Sequence, residues 1–271
     1  MHFAPFRVRV LTIIGLCSGL IGSGAWAATC VKSLRWVDIP PYAFKDSDGE
    51  IRGLHVELAT VALKRVGCDV RLVEMPWVRA VVELQRGRLD LLPGTADTQE
   101  RAAFALFSRP TNSARNVLFI ATQVEARYNP NALADIIGTD FRLAVQRGST
   151  YGPVYDILLK KPEFVQRLTF VTSQESAVRM LSAGRVEGFL GDELSGFDRV
   201  HRMGLKDSIK RSKVVVSEDA DRIAFSKATN DAAFVKRFDG ALESMVSDGT
   251  YKQILERYLD CPVRMDRLGC Q

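Results

Sequence analysis

The chain contains 271 residues, of which 46% are hydrophobic and 25% charged, and its formal net charge at pH 7 is +5. This charge excess is modest, both signs are interspersed, and no motif combines basic with aromatic residues, which argues against a nucleic-acid-binding protein. The three histidines are isolated in the sequence and no Gly-x-x-x-x-Gly-Lys phosphate loop occurs. We therefore expect neither a metal site nor a cofactor.

The first 27 residues have the pattern of a signal peptide. Arg7 and Arg9 form a positive region, Val10–Ile21 is apolar, and an Ala-Trp-Ala tripeptide ending at Ala27 matches a cleavage site. Cleavage there would remove two positive charges and lower the formal net charge to +3. We predict export to the periplasm. An uncleaved membrane anchor is the alternative, although the apolar run is short for a membrane span.

Four cysteines follow the predicted signal peptide: Cys30, Cys68, Cys261 and Cys270. An even number in an exported chain indicates disulfides, and four cysteines allow three pairings. Cys30 precedes the first predicted strand and Cys68 begins the second. If those strands are parallel neighbours their starts lie side by side, so we favour Cys30–Cys68, with Cys261–Cys270 closing the C-terminal tail.

Strands and helices alternate in the first part of the chain. Apolar runs predict short strands, and apolar residues at helical spacing, followed by Gly67 or Gly87, predict helices that end at those glycines. The predicted order is strand Leu34–Ile39, helix Leu54–Val66, strand Val70–Val73, a helix with a stripe from Trp77 to Leu84, and strand Leu89–Leu92. This alternation within 60 residues implies parallel strands with right-handed crossovers.

A second unit repeats this plan. The phrase "AVVELQRGRLDLL" at Ala80–Leu92 returns as "AVRMLSAGRVEGFL" at Ala177–Leu190, and both are predicted as helix, glycine stop and strand. The second unit is predicted as strand Arg142–Val145, helix Gly152–Lys160, strand Leu168–Val171, helix Glu175–Leu181 and strand Val186–Leu190. Extended stretches at Val117–Ala121, Val214–Val216 and Ile223–Phe225 and helices at Asp231–Ser247 and Tyr251–Tyr258 complete the prediction.

We therefore predict an α/β protein of two lobes, each a mainly parallel sheet flanked by helices. After the signal peptide of residues 1–27, the first lobe takes residues 28–120, the second takes 121–217, and 218–271 return through the hinge to the first. Two chain crossings between two rigid bodies make a hinge and a cleft.

Ligands of open parallel sheets bind beyond the carboxyl ends of the strands, so the residues after the repeated phrases should face the cleft. Arg101 ends "PGTADTQER" after the first phrase, and Asp192 lies in "GDE" after the second. Ser149 and Thr150 follow another strand and precede a predicted helix. A guanidinium binds a carboxylate with paired hydrogen bonds, the turn at 148–150 with the helix dipole adds donors, and Asp192 can accept from an ammonium group. This set suits a zwitterion.

Each of these residues also has a simpler interpretation. Arg101 follows an acidic residue and could form a surface ion pair, Ser149 could only cap its helix, and Asp192 could be a solvated loop residue. Trp77 and Tyr42 could form an apolar wall of the cleft, although a tryptophan at helical spacing usually packs in a core. The basic stretch Arg199–Lys213 is interpreted as a solvated face. The shared position at predicted strand ends favours the binding interpretation.

Six segments occur in order: "PPYAFKDSDGEIRGLHVELA", "EMPWVRAVVELQRGRLDLL", "GTADTQERAAFALFSRP", "VQRGSTY", "GDE" and "IAFSKATNDAAFVKRFDGALESMVSDGTYKQILERY". This ordered set resembles the family 3 extracellular solute-binding proteins, which are the periplasmic amino-acid-binding components of ABC transporters. The resemblance implies a type II periplasmic-binding-protein fold that closes on its ligand. It also implies carboxylate binding by Arg101, ligand hydroxyl contacts by Ser149 and Thr150, ammonium binding by Asp192, a pocket wall at Trp77 and a backbone contact at Gly94.

Three positions depart from the family pattern. Ala96 stands where a serine or threonine is usual, which removes a hydroxyl from the carboxylate site. His55 replaces an aspartate, and we interpret it as a cap at the start of its helix. Ile39 stands near the usual place of a stacking aromatic residue. The first and third departures leave room for a small carboxylate other than an amino acid.

The leading hypothesis is a monomeric receptor without catalytic activity that binds a small zwitterionic or carboxylate solute and delivers it to the membrane permease of an ABC transporter. One alternative is a dehydratase-like enzyme acting on a cyclic carboxylate, which needs an acid or base in the cleft. Only Glu74, Asp192 and Glu193 are predicted near it, and no histidine is expected there. The other alternative is a ligand-sensing module that acts with a membrane partner.

Overall fold

The computed structural model describes residues 1, 2, 4, 30–259 and 262–270. The strands of this part of the chain are β1 (Cys30–Trp36), β2 (Phe44–Lys45), β3 (Ile51–Arg52), β4 (Cys68–Glu74), β5 (Leu91–Thr95), β6 (Ala105–Phe107), β7 (Asn112–Ala121), β8 (Leu143–Gln146), β9 (Leu168–Val171), β10 (Gly188–Asp192), β11 (Ile209–Ser226), β12 (Val263–Arg264) and β13 (Gly269–Cys270). The α-helices are α1 (Leu54–Arg65), α2 (Trp77–Gln85), α3 (Gln99–Ala102), α4 (Pro153–Leu158), α5 (Pro162–Val165), α6 (Gln174–Ser182), α7 (Glu193–Arg202), α8 (Ala232–Ser247) and α9 (Thr250–Tyr258).

Hydrogen bonds join nine of these strands into one sheet that runs through both halves of the molecule. The order is β4-β1-β5-β11-β7-β10-β8-β9, and β6 pairs with the end of β11 on the edge opposite β5. Strand β11 is long enough to serve both halves, because its beginning pairs with β7 and its end pairs with β5 and β6. The two halves of the sheet are the two predicted lobes.

The core of the first lobe is built from facing residues of neighbouring strands. Leu34 on β1 is opposite Leu91 on β5, and Leu91 is opposite Phe225 on β11. All three are fully buried, and helices α1, α8 and α9 add residues such as Leu58 and Phe238 to the same cluster. The apolar stripe of α1 faces this cluster, which is the arrangement expected of an amphipathic helix on a sheet.

The second lobe has the same plan. Strand β8 pairs in parallel with β9 and with β10, and β7 runs antiparallel to β10 at the junction with the first lobe. Helices α4 and α6 cover this sheet. Phe119 on β7 stacks on Phe189 on β10, with 4.7 Å between ring centroids, and both side chains are fully buried. Each lobe therefore buries its own apolar core, with β7 and β11 as the shared strands.

Strands β7 and β11 form the two-segment hinge. They pair antiparallel from Asn112–Asp221 to Ala121–Ile209, so the chain crosses between the lobes on two neighbouring strands. Side chains from Val117 onward already pack in the cores of the second lobe. The two-lobe α/β prediction is confirmed, while the boundaries at 120/121 and 217/218 stay predictions.

The repeated phrases occupy equivalent places in the two lobes. The first covers α2 and the start of β5, and the second covers α6 and β10. In each helix the alanine and the leucine four residues later are buried, namely Ala80 with Leu84 and Ala177 with Leu181. A glycine with a positive φ angle ends each helix region, Gly87 at 70° and Gly184 at 66°. The prediction of helix, glycine stop and strand is correct in both copies.

Cys30 and Cys68 form the predicted disulfide, with 4.5 Å between their Cα atoms. They are opposite each other as the first residues of the parallel strands β1 and β4, so the reasoning from adjacent strand starts is confirmed. The signal peptide with its cleavage site, Cys261 and the side chain of Cys270 lie outside the described residues. No helix among the described residues combines the length and apolar character needed to cross a membrane.

The structure differs from the prediction at several elements. The short elements β2, β3, α3, β6, α5, β12 and β13 are additional, and the predicted stretches Val214–Val216 and Ile223–Phe225 belong to the single strand β11. Helix α4 runs from Pro153 to Leu158, which is shorter than predicted, and its first residue has no N–H to donate. Residues 193–202 form α7, although no helix was predicted there. The basic stretch after residue 198 therefore begins on a helix, and part of its charge is paired: Arg202 with Asp38 and Asp198, Lys210 with Glu125, and Arg211 with Glu193.

Candidate ligand-binding cleft

A cavity of about 610 Å³ lies between the two lobes. This size is within the usual range for sites that bind small molecules. All seven predicted ligand-binding residues line it: Tyr42, Trp77, Gly94, Arg101, Ser149, Thr150 and Asp192. The structure therefore brings the seven together at one place.

Arg101 and Trp77 hold the first lobe to the second at one point of the cleft. Arg101 Nη2 donates to the carbonyl oxygen of Gly148 at 3.2 Å, and Trp77 Nε1 donates to the same oxygen at 3.0 Å. Arg101 Nη1 donates to the Ala96 carbonyl at 3.1 Å. A guanidinium has five N–H groups, so Arg101 keeps donors for an anion in the cavity. We interpret Arg101 as a cavity residue and not as a surface ion pair.

A second guanidinium belongs to this cluster. The Arg35 and Arg101 guanidinium carbons lie 5.8 and 5.4 Å from the ring centroid of Trp77. Arg35 is 7% exposed and its Nε donates to the Met75 carbonyl at 3.1 Å. Burial lowers the pKa of Arg35 to about 10 and also lowers the pKa of Arg101, so both stay charged at neutral pH. We define the Trp77 cluster as Arg35, Trp77 and Arg101.

The predicted donors of the second lobe are only partly available. Gly148 presents its carbonyl oxygen to Arg101, and the Ser149 N–H donates to Gln146 within the turn at 3.2 Å. The cap of α4 is Gly152, so the alternative that Ser149 only caps its helix is wrong. Anion binding by the donors of the turn at 148–150 stays a prediction. The hydroxyls of Ser149 and Thr150 remain as cavity-lining groups.

Asp192 lines the cavity and also has a structural role. Its Oδ1 accepts from the backbone N–H and from the hydroxyl of Ser195, both at 2.9 Å, and this makes it the cap of α7. Its Oδ2 accepts from the hydroxyl of Tyr42 at 3.1 Å, which links the lobes. Burial raises the pKa of Asp192, and the donors from Ser195 and Tyr42 counteract this rise. The solvated-loop interpretation of Asp192 is wrong.

Tyr42 begins a network that the sequence did not indicate. Its ring stacks on the His55 imidazole at 4.6 Å between centroids. His55 Nε2 donates to Asn112 Oδ1 at 2.9 Å, and Asn112 Nδ2 donates to Asp221 Oδ2 at 3.0 Å. Both His55 and Asp221 line the cavity with Asp192. We define the Asp221 cluster as Tyr42, His55, Asn112, Asp192 and Asp221.

His55 and Asp221 correct two sequence-based expectations. Gly53 is the cap residue of α1 and no side chain caps that helix, so the capping role for His55 is wrong. A histidine does reach the cleft, and Asp221 is an acid there that the prediction omitted. Glu193, by contrast, pairs with Arg115 and Arg211, and Glu74 is not a lining residue.

Burial sets the protonation states in the Asp221 cluster. It lowers the pKa of His55 to about 4, so the imidazole is neutral at pH 7 and its 3.8 Å approach to Asp221 is not an ion pair there. Burial and the nearby Asp192 raise the pKa of Asp221 to about 7, although the hydrogen bond from Asn112 counteracts this rise. A carboxyl with such a pKa changes charge in the neutral range.

Gly94 allows the backbone to approach His55 closely. Its φ angle is +65°, and a Cβ built on it would lie 3.0 Å from His55 Cε1. Any other residue would therefore meet both backbone strain and a close contact. Gly94 lines the cavity at the end of β5, as its position after the first repeated phrase predicts.

A model of the bacterial extracellular solute-binding proteins, family 3, matches residues 37–260. The chain belongs to this family. The match covers both lobes, and the two-lobe arrangement is the type II periplasmic-binding-protein fold that the resemblance implied. This solute-binding protein therefore has the fold and the cleft of a family whose members bind solutes outside the cytoplasm.

Relatives of this solute-binding protein are similar along most of their length. A probable amino-acid-binding protein, YxeM of Bacillus subtilis (strain 168), is 22% identical over 233 residues, or 84% of this chain and 83% of the relative. An arginine-binding periplasmic protein of Mannheimia haemolytica is 23% identical over 225 residues, or 81% and 87% of the two chains. The solved structure of an ancestral arginine-binding protein bound to glutamine has a TM-score of 0.71 and 25% identity, with 85% and 97% of the chains covered.

Proposed function

We propose that this protein is a periplasmic receptor that captures an amino acid by closure of its two lobes and delivers it to the permease of an ABC importer. The observation that carries the proposal is that Arg101 from the first lobe and Asp192 from the second line one cavity. A guanidinium and a carboxylate on opposite walls match the carboxylate and the ammonium group of an amino acid.

The contacts between the lobes support a closing cleft. Tyr42 reaches Asp192, and Trp77 and Arg101 reach Gly148, so three side chains of the first lobe bond to the second around the cavity. A solute held by both lobes would add to these contacts. Hydrogen bonds to charged groups contribute roughly 1.5–3 kcal/mol each, so three or four of them support binding near 1 μM, which is about −8 kcal/mol.

The names of the relatives favour an amino acid over other carboxylates. Those relatives bind amino acids such as arginine, as their names state. Ala96 contributes its carbonyl to Arg101 and no hydroxyl to the cavity, so Arg101 and Thr98 are the side chains of this loop that can donate to an anion there.

Isothermal titration calorimetry with the amino acids and a set of small carboxylates tests the proposal. We expect at least one amino acid to bind, and we expect Arg101→Ala to reduce its affinity at least tenfold, which corresponds to about 1.4 kcal/mol. Arg86→Ala removes an exposed arginine of the same lobe that is outside the cavity lining and serves as the control. Unchanged affinity in Arg101→Ala would reject Arg101 as the carboxylate-binding residue.

We propose further that the protein is a monomer and has no catalytic activity of its own. Light scattering after size exclusion should give the mass of one chain. Incubation with prephenate, a cyclic carboxylate that a dehydratase converts, should leave the substrate unchanged, as judged by NMR.

The membrane partner can be identified by cross-linking in the periplasm, which should trap a permease. Capture of a membrane-bound kinase instead would favour the sensing role.

A further inference from the structure

Five aspartates line the cleft, and the two that are not exposed, Asp192 and Asp221, differ in how many donors the protein supplies to them. An ionised carboxylate has about four acceptor positions. Asp192 uses three of them, for the Ser195 N–H, the Ser195 hydroxyl and the Tyr42 hydroxyl. Asp221 accepts one side-chain hydrogen bond, from Asn112 to its Oδ2. Among the described residues, its Oδ1 has no donor. Of these two carboxylates, Asp221 therefore has the larger unused acceptor capacity.

The surroundings of Asp221 contain no cation that could pair with it. Among the described residues, the groups that face it are the neutral His55 from α1, Tyr42 from the segment before β2, Asn112 from β7, Asp192 from β10 and Asp219 from its own strand. In the described part of the chain, no Lys or Arg nitrogen lies within 4.0 Å of its carboxylate. The side chain is 19% exposed and lines the cavity. A carboxylate in such a place is stabilised when a cation binds beside it.

The network behind Asp221 holds its carboxylate in place. Asn112 is opposite Asp221 in the register of β7 and β11, and its amide accepts from His55 while it donates to Asp221. His55 is itself fixed by stacking on Tyr42. Because both hinge strands contribute, the carboxylate position depends on the pairing of the hinge and not on one flexible loop.

We infer that Asp221 is a second acceptor for cationic groups of the solute, beside Asp192, and that it selects amino acids with a positively charged side chain. This inference rests on the proposed function, because it assumes that an amino acid occupies the cleft. The ammonium group of the solute then binds Asp192, and a side-chain cation, such as a guanidinium with its five N–H groups, binds Asp221. The buried guanidiniums of Arg35 and Arg101 belong to the Trp77 cluster, where the solute carboxylate binds.

Arginine and citrulline form a matched pair of ligands for the test, because citrulline replaces the guanidinium by a neutral group of similar shape. We expect the wild-type protein to bind arginine at least tenfold more tightly than citrulline by calorimetry at pH 8. Asp221→Asn keeps the shape and can still accept from Asn112, so the fold is retained. It should reduce arginine affinity about tenfold and change citrulline affinity less than threefold.

Glu218→Gln is the matched control, because it removes the same charge from the same strand at an exposed side chain that does not line the cavity. It should leave the arginine-to-citrulline ratio unchanged. An equal ratio in the wild type and in Asp221→Asn, with Arg101→Ala still impaired, would overturn the role of Asp221 and leave the proposed function intact. A wild-type protein that binds no amino acid would overturn both.

The pH dependence provides an independent readout. Arginine keeps its charged side chain between pH 5.5 and 8, and His55 stays neutral there, so ionisation of Asp221 should increase the preference for arginine over citrulline as the pH rises through about 7. Asp221→Asn should remove this increase. A preference that rises equally in the wild type and the variant would contradict the inference.

Discussion

The Trp77 cluster and the Asp221 cluster both hold charges in one cleft, but the protein supplies partners to them differently. Arg101 donates to two carbonyl oxygens and lies near the face of Trp77, so part of its hydrogen-bonding capacity is already satisfied. Asp192 is satisfied in the same way by Ser195 and Tyr42. Asp221 has a single donor and no cationic neighbour among the residues that the structure describes.

This difference separates charges that hold the protein together from a charge that is available to a ligand. A buried charge without a partner raises the free energy of the folded state, and nothing in a structural role would require Asp221 to be charged. A bound cation removes that cost. The comparison therefore predicts that removal of the Asp221 charge stabilises the protein, whereas Asp192 contributes to stability through its cap of α7 and its link to Tyr42.

The largest expected effect is a gain in stability from Asp221→Asn. The pKa of Asp221 is raised to about 7 in the folded protein, so the folded state binds more protons than the unfolded state between pH 3.8 and 7, and stability falls as the pH rises through that range. Without ligand, the variant should be more stable than the wild type by about 4 kcal/mol at pH 8 and equally stable near pH 3.5. Urea unfolding at the two pH values measures this, and a pH-independent difference would contradict it.

The next effect concerns Gly94, which allows His55 to support the Asp221 cluster. Gly94→Ala should reduce the unfolding free energy by about 2 kcal/mol, because it adds a Cβ at a positive φ and 3.0 Å from His55. Gly184 has nearly the same φ, +66°, but no atom lies within 4 Å of the position that a Cβ would take there. Gly184→Ala therefore incurs only the backbone strain, and equal losses in the two variants would show that the His55 contact is unimportant.

Much of the fold could be predicted because its signals are local. Apolar spacing and glycine stops identify the repeated helix–strand units, and the rule that ligands bind at the carboxyl ends of strands selects Arg101 and Asp192. The structure places both on the cavity, while their contact with a solute stays a prediction. The sequence ELSGFDRVHR does not predict helix α7 because it has an interior Gly196 and only three apolar side chains, Leu194, Phe197 and Val200. Asp192 with Ser195 was the available capping signal.

The Asp221 cluster could not be predicted because its contacts are distant in sequence. Asp221 and Asn112 are 109 residues apart, and His55 and Asn112 are 57 apart. Both pairs form only when β7 and β11 align as a hinge in the folded molecule. The residues next to Asp221 in the sequence do not indicate that its side chain is buried. The sequence alone therefore gives no reason to assign Asp221, and not Asp219, to the cleft.

A smaller effect tests the structural role of Asp192. Asp192→Ala should be less stable than Asp192→Ser by about 1 kcal/mol, because serine still caps α7 and alanine does not, while both lack the charge and the link to Tyr42. Because both variants are neutral, the free-energy cost of burying a carboxylate does not contribute to the difference between them. Equal unfolding free energies in urea would show that the cap contributes little.

The smallest effect is expected at the rim of the cleft. Arg202 on α7 pairs with Asp38 of the first lobe at 3.0 Å, but the two side chains are 43% and 51% exposed. Solvent weakens such pairs, so Arg202→Ala should change ligand affinity less than threefold, which is under about 0.7 kcal/mol. Tyr42→Phe removes a buried link between the same lobes and leaves Asp192 with one donor fewer, so its effect on affinity should be larger. A larger loss from Arg202→Ala than from Tyr42→Phe, measured by calorimetry with the same amino acid, would mean that surface charge and not the buried network holds the lobes together.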